Sequence, residues 1–149
     1  MISNINFKGF ISDNKLLRNL NYGTYKPQQC IKRYEEYTIV IFKSGKCRIM
    51  GCKSEPQNLP FPIHNIELQS ITATLDMCQS INLYKLSKIL KNDCIYEPEL
   101  FTALRVTRYN PLCVNVFATG KVVILGIKSM DYQYLLDTII DYLCCFIGI

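Results

Sequence analysis

The sequence predicts an α+β fold in which two similar halves build an antiparallel sheet backed by helices. Three observations point to it. The stretch FKSGKCRIMGCKS at 42–54 returns 75 residues later as FATGKVVILGIKS at 117–129, with Phe, Gly, Lys, Ile, Gly, Lys and Ser identical across the 13 positions. Each copy follows a β-branched and aromatic run, YTIVIF or LCVNVF, that alternates with the period of a strand. Over 130–146, Leu135, Leu136, Ile139, Ile140, Leu143 and Phe146 then recur at helical spacing.

The first half opens with a strand over ISNINFKGFI at 2–11. Asp13 caps a short helix, NKLLRNL at 14–20, because its carboxylate can accept an otherwise unpaired N–H of the first turn. QQCIKRYE at 28–35 is the next strand. The hairpin follows, with YTIVIF at 37–42, the turn pair Ser44-Gly45 and the returning CRIMG at 47–51. SEPQNLPFP at 54–62 then places three prolines in nine residues, which excludes a long helix, so the first repeat lacks a closing helix.

The second half repeats this order. IELQSITATL at 66–75 is a strand, and Ser80 or Asn82 caps the helix INLYKLSKILKN at 81–92. TALRVTRY at 102–109 is a strand turned by Asn110-Pro111, and LCVNVF, Thr119-Gly120 and VVILG form the second hairpin. Here the chain does close with the helix of 130–146. The organisation is one domain: a first repeat over about 1–56, a proline-rich linker at 56–62 and a second repeat over 63–149.

Composition is that of a globular chain, 49% hydrophobic and 19% charged, and the net charge of +5 has the sign a nucleic-acid partner needs. The N-terminus lacks the apolar run of a secretory signal. The apolar tail at 134–149 is broken by Asp137 and Asp141, too short and too charged for a bilayer span. The expected setting is soluble and intracellular, with no membrane partner. The eight cysteines contain no Cys-x-x-Cys pair and His64 has no second histidine beside it, so the thiols read as small hydrophobes and no metal or cofactor is expected. SGK at 44–46 lacks the upstream glycine of a phosphate-binding loop, and there is no catalytic His constellation or metal-binding carboxylate pair. An enzyme is not expected.

Alternation assigns faces. Val114, Val116, Val122 and Ile124 share one side of the second hairpin, and Ile39, Ile41, Cys47 and Ile49 share the corresponding side of the first. The other side carries Val40, Phe42, Arg48 and Met50 in the first repeat and Asn115, Phe117, Val123 and Leu125 in the second. That mixture of aromatic, cation and amide suits a binding surface better than a plain core.

YEPELFTALRVTRYNPLCVNVFATGKVVILGIKS at 96–129 resembles the second repeat of the TATA-box-binding protein (TBP) family, with YEPELF at 96–101 matching letter for letter. NYGTYKP at 21–27 and the FKSGK hairpin resemble the first repeat more loosely. The resemblance implies a saddle: two pseudo-symmetric repeats forming one curved antiparallel sheet, helices on the convex side, and a concave side that sits in the DNA minor groove. It implies a transcription initiation factor that bends promoter DNA and recruits a factor of the transcription factor IIB (TFIIB) type and RNA polymerase. The divergence of the chain suggests a large DNA virus or a parasite as source. The site of action would then be the nucleus, or a cytoplasmic replication site for a cytoplasmic virus.

Carried over by motif, the wedge residues that enter base steps are Phe101 and Phe117 in the second repeat. In the first they are Phe42 and, within about one residue of register, Tyr25. Lys46, Lys53, Lys121 and Lys128 match basic positions that meet phosphates. Glu97, Glu99 and Leu100 of YEPELF match the surface that docks the TFIIB-type factor. The departures lie on the base-facing positions, where Arg48 and Met50, and Val123 and Leu125, stand for the family's Val and Thr, and Asn115 stands for an apolar residue. Minor-groove readout separates mainly A·T from G·C, so the expected DNA is AT-rich or of altered specificity, with Arg48 drawn to a narrow groove. The same departures leave a second reading open, a protein-interaction module or decoy that binds transcription factors with little DNA binding of its own. Without a closing helix, Ile39, Ile41 and Ile49 are expected to form an uncovered convex patch for another protein or a second copy. The alternatives are that the C-terminal helix or the proline linker folds over it.

Overall fold

The computed structural model describes residues 2–23 and 28–147, and of Ile2 the backbone alone. By compactness the chain divides into a first half, Asn4–Ser70, and a second half, Ile71–Ile149 with Met1–Ser3. The first half takes all but the outermost residues of β1 (Ile2–Phe10), then α1 (Asn14–Arg18), β2 (Gln29–Arg33), β3 (Thr38–Phe42) and β4 (Lys46–Cys52). Its strands are neighbours in the order β2-β3-β4-β1. Strand β5 (His64–Asp76) gives its opening residues to the first half and its closing residues to the second. The second half continues with α2 (Leu83–Leu90), a 3₁₀ turn (Lys91–Asp93), β6 (Cys94–Ile95), β7 (Leu104–Val106), β8 (Cys113–Val116), β9 (Lys121–Ile127) and α3 (Gln133–Ile147). Here the order is β5-β9-β8-β7-β6.

The sequence repeat is a repeat of register. Val40 faces Arg48 and Ile41 faces Cys47 in the first hairpin, as Asn115 faces Val123 and Val116 faces Val122 in the second. β4 bulges against β1 between the pairs Ile5–Cys52 and Phe7–Ile49, and β9 bulges against β5 between Ile71–Ile127 and Ala73–Ile124. The repeated Gly51 and Gly126 lie in these bulges at φ of 78° and 88°, a region other residues enter at a cost. Asn6 Oδ1 accepts the Gly51 N–H at 3.1 Å, so the first bulge leaves no orphan donor there.

Both helix caps form. Asp13 Oδ1 accepts the Leu16 N–H at 3.1 Å, and Asn82, not Ser80, accepts the Lys85 N–H at 3.0 Å. Val114, Val116, Val122 and Ile124 have no exposed surface, and neither do Leu136, Ile139 and Leu143, the centre of the α3 stripe. Phe146, at the stripe's end, stays partly exposed and stacks its edge on Tyr142 at 5.0 Å. β7 is shorter than expected because its flanks turn. Leu100 and Phe101 both donate to the Glu97 carbonyl, and Thr107 N–H donates to the Asp93 carbonyl at 2.8 Å beside the short β6.

The expectation of an open patch on the first half is corrected. Ile39, Ile41 and Ile49 are 0% exposed and Cys47 is 2% exposed. No helix follows β4 before β5, so the chain closes this face by another route. Gly9 pairs with Cys47, and a Cβ at Gly9 would fall 2.5 Å from Ile63 Cγ2 and 3.6 Å from Cys47 Sγ. Ile63, at the end of the proline-rich segment, therefore lies on the side to which Cys47 points. Ile39, Ile41 and Ile49 are core residues and not a docking surface. Burial also pushes the Cys47 thiol up to about 11, which keeps it a neutral hydrophobe.

Among the described residues no helix is long and apolar enough to cross a membrane.

Candidate nucleic-acid interface

Opposite its core, each half presents a row of directly paired side chains. In the second half the row is Arg105, Asn115, Val123 and Thr74, on β7, β8, β9 and β5. In the first it is Ile31, Val40, Arg48 and Lys8, on β2, β3, β4 and β1. Matched by register, Arg105 corresponds to Ile31, Asn115 to Val40, Val123 to Arg48 and Thr74 to Lys8. Met50 and Leu125, one pair further along, are 40% and 37% exposed.

Two phenylalanines meet at the rim of the second half. Phe117 sits where the hairpin begins to turn, its N–H donating to the Lys121 carbonyl and its carbonyl accepting the Gly120 N–H, both at 2.9 Å. Phe101 leaves the YEPELF turn with its N–H on the Glu97 carbonyl at 3.0 Å. The two rings approach edge to face, centroids 6.3 Å apart, and Phe101 is 43% exposed. Aromatic rings held at a sheet rim with their faces partly in water can leave water by stacking on another flat apolar surface.

The first half is built differently. Phe42 is half-buried and the Arg48 guanidinium lies over its ring, 5.8 Å from the centroid. Tyr25 lies outside the described residues. Phe10, which sequence reasoning passed over, is 40% exposed and lines the same concavity as Phe42. Lys46, Lys53, Lys121 and Lys128 are all exposed, and Lys53 Nζ donates to Asn4 Oδ1 at 2.9 Å. Glu97 and Glu99 are exposed, and Leu100 is 81% exposed on a turn where an apolar side chain gains nothing from its own fold. Lys8 and Arg105, which the sequence reading did not single out, are exposed on the same outward rows. The signal for each was a cation at the outward position of an alternating strand.

Asn115 is 6% exposed and its Oδ1 has no hydrogen-bond partner. A buried acceptor without a donor costs about 1–3 kcal/mol. Val40 occupies the matching place in the other half, so Asn115→Val is expected to stabilise the fold by about 1 kcal/mol or more. Urea unfolding of the two proteins reads this directly, and a loss of stability would mean that the amide has a role in packing.

The family model described as "Transcription factor TFIID (or TATA-binding protein, TBP)" matches residues 65–144. The chain belongs to the TBP family. It is 31% identical over 155 residues to the TATA box-binding protein-like 2 of Rattus norvegicus, a match covering 90% of this chain and 45% of that one. It is 30% identical over 148 residues to the TATA-box-binding protein of Methanothermococcus thermolithotrophicus, covering 83% and 80%. Among solved structures, Methanococcus jannaschii TBP superposes with a TM-score of 0.64 at 27% identity, covering 93% of this chain and 94% of that one. Both halves therefore carry the TBP fold, including the first, which lies almost wholly outside the family-model match. The chain spans under half the length of the vertebrate TBP-like relatives it matches, 45%, 42% and 43% for rat, Takifugu rubripes and Danio rerio.

Proposed function

We propose that this TBP-family protein is a transcription initiation factor that binds promoter DNA through the minor groove, bends it, and recruits a TFIIB-like factor and RNA polymerase. The observation that carries the reading is the Phe101–Phe117 pair, half-exposed at the rim of a sheet face whose other side is sealed core. Such a pair is shaped to enter and unstack a base step. Lys121 and Lys128 on the adjoining strand and turn supply phosphate contacts without sequence information. Glu97, Glu99 and Leu100 project from the same turn that positions Phe101, so the factor-docking surface and the wedge share one structural unit.

The test is a fluorescence titration of doubly end-labelled duplexes, TATA-containing and scrambled, at two salt concentrations. Binding with bending is the expected result, and binding without any change in end-to-end distance would overturn the bending mechanism. A second reading is favoured by Arg48, Met50 and Leu125 on the open faces, which suit an interaction module or decoy. The two readings separate on Glu97→Arg with Glu99→Arg. Under the first, DNA bending is kept while factor recruitment falls about tenfold or more in a ternary-complex titration. Under the second, no duplex is bound and factor binding alone is lost.

A further inference from the structure

Lys8 and Arg48 are direct cross-strand partners on the open face of the first half. Like charges placed opposite one another destabilise a strand pair. The fold does not demand them, because the register-matched pair in the second half is Thr74 and Val123. Each cation has only a partial accommodation. Lys8 Nζ lies 3.6 Å from Glu67 in an ion pair whose side chains are 57% and 67% exposed, and Arg48 rests over the Phe42 ring. Around them is a concavity of about 800 Å³ lined by four cations, Lys8, Lys43, Lys46 and Arg48, against one carboxylate, Glu67.

We propose, resting on the DNA-binding reading above, that Lys8 and Arg48 form a charge-reading element whose preferred ligand is the narrow minor groove of A-tract DNA, with Glu67 holding Lys8 until DNA replaces it. A stiff A-tract has a narrow groove of enhanced negative potential that attracts Lys and Arg, whereas T-A steps are read through their ease of kinking. A wedge-driven site favours the second kind of DNA. In this half the wedge is handicapped, because inserting Phe42 strips the guanidinium from its ring. The paired cations supply instead a readout that needs no unstacking. Glu67 repels the same phosphates that Lys8 attracts, so it lowers affinity for every duplex without choosing among them.

The experiment titrates the full chain with duplexes of equal length carrying an A-tract, an alternating T-A run or a G·C block. It is repeated for Lys8→Thr with Arg48→Val, which are the second half's own residues at these positions, and for Glu67→Gln. The wild type is expected to bind the A-tract about fivefold or more tighter than the alternating run. The double variant should lose that preference, and its log affinity against log salt should flatten by about two, one for each lost cation. Glu67→Gln should tighten all three duplexes by about threefold and leave their ratio unchanged. Thermal melting checks the fold, and the double variant should melt close to the wild type, because relief of the like-charge pair offsets loss of the Glu67 ion pair and the Phe42 ring contact. Wild-type binding with equal affinity for A-tract and alternating DNA, or a preference that survives the double substitution, overturns this inference and leaves the function standing. Failure of the wild type to bind any duplex overturns both.

Discussion

A Phe101→Ala, Phe117→Ala protein is expected to keep its fold and to lose the DNA bending proposed above. The two side chains contribute modestly to stability, since Phe101 is 43% exposed and the edge-to-face contact between the rings is worth about 0.5–1.5 kcal/mol. In the proposed bent complex their contribution is expected to be larger, because each ring would replace the stacking that an opened base step gives up. Loss of both should weaken binding by about 3 kcal/mol, two orders of magnitude, and return the duplex ends to their unbent separation. Tyr134→Ala, an 82% exposed aromatic on α3, is the control and should change neither quantity. Phe42→Ala should cost less than either second-half substitution, because Arg48 already covers that ring. Bending that persists in the double variant would mean the rings are surface decoration and the bend has another source.

Most of the architecture was legible because it is written locally. Alternation in YTIVIF and LCVNVF, the turn glycines, the Asp13 and Asn82 caps and the stripe of α3 each depend on neighbours a few residues away. What escaped depends on partners distant in sequence. Ile63 comes close to Gly9 from a segment with no periodicity to read, so local patterning left open whether the first half's apolar face was covered by the C-terminal helix, by the proline linker or by a partner. Lys8 acquires meaning only from the register that sets it opposite Arg48, a pairing between strands distant in sequence. β6 is two residues long and owes its existence to β7 beside it. The orphaned Asn115 Oδ1 likewise appears only once Arg105 and Val123 are known to be its neighbours and neither is its partner.

Gly120→Ala is expected to cost about 3 kcal/mol or more, while Gly126→Ala, at nearly the same backbone angle, costs about 1 kcal/mol. The two glycines have φ of 95° and 88°, so the intrinsic strain of an alanine is similar at both. Their surroundings differ. A Cβ on Gly126 meets nothing within 4 Å, whereas on Gly120 it would fall 2.2 Å from the Gln79 carbonyl oxygen and 3.1 Å from its carbon. Those atoms are backbone and cannot rotate away as a side chain would. The turn is also stitched to the segment before α2, Met77 N–H donating to the Gly120 carbonyl and Ile81 N–H to the Ala118 carbonyl, both at 2.9 Å. Relief at Gln79 therefore moves the turn, and the turn carries Phe117. With a total stability of about 5–15 kcal/mol for a protein of this kind, Gly120→Ala should lower the melting temperature by about 6–12 °C and Gly126→Ala by about 2–4 °C. DNA bending should fall with Gly120→Ala even at temperatures where the variant is folded, because the displaced hairpin no longer aims the ring. Equal melting temperatures for the two variants would show that the contact with Gln79 yields freely, and the rim would then be too soft to hold a wedge in place.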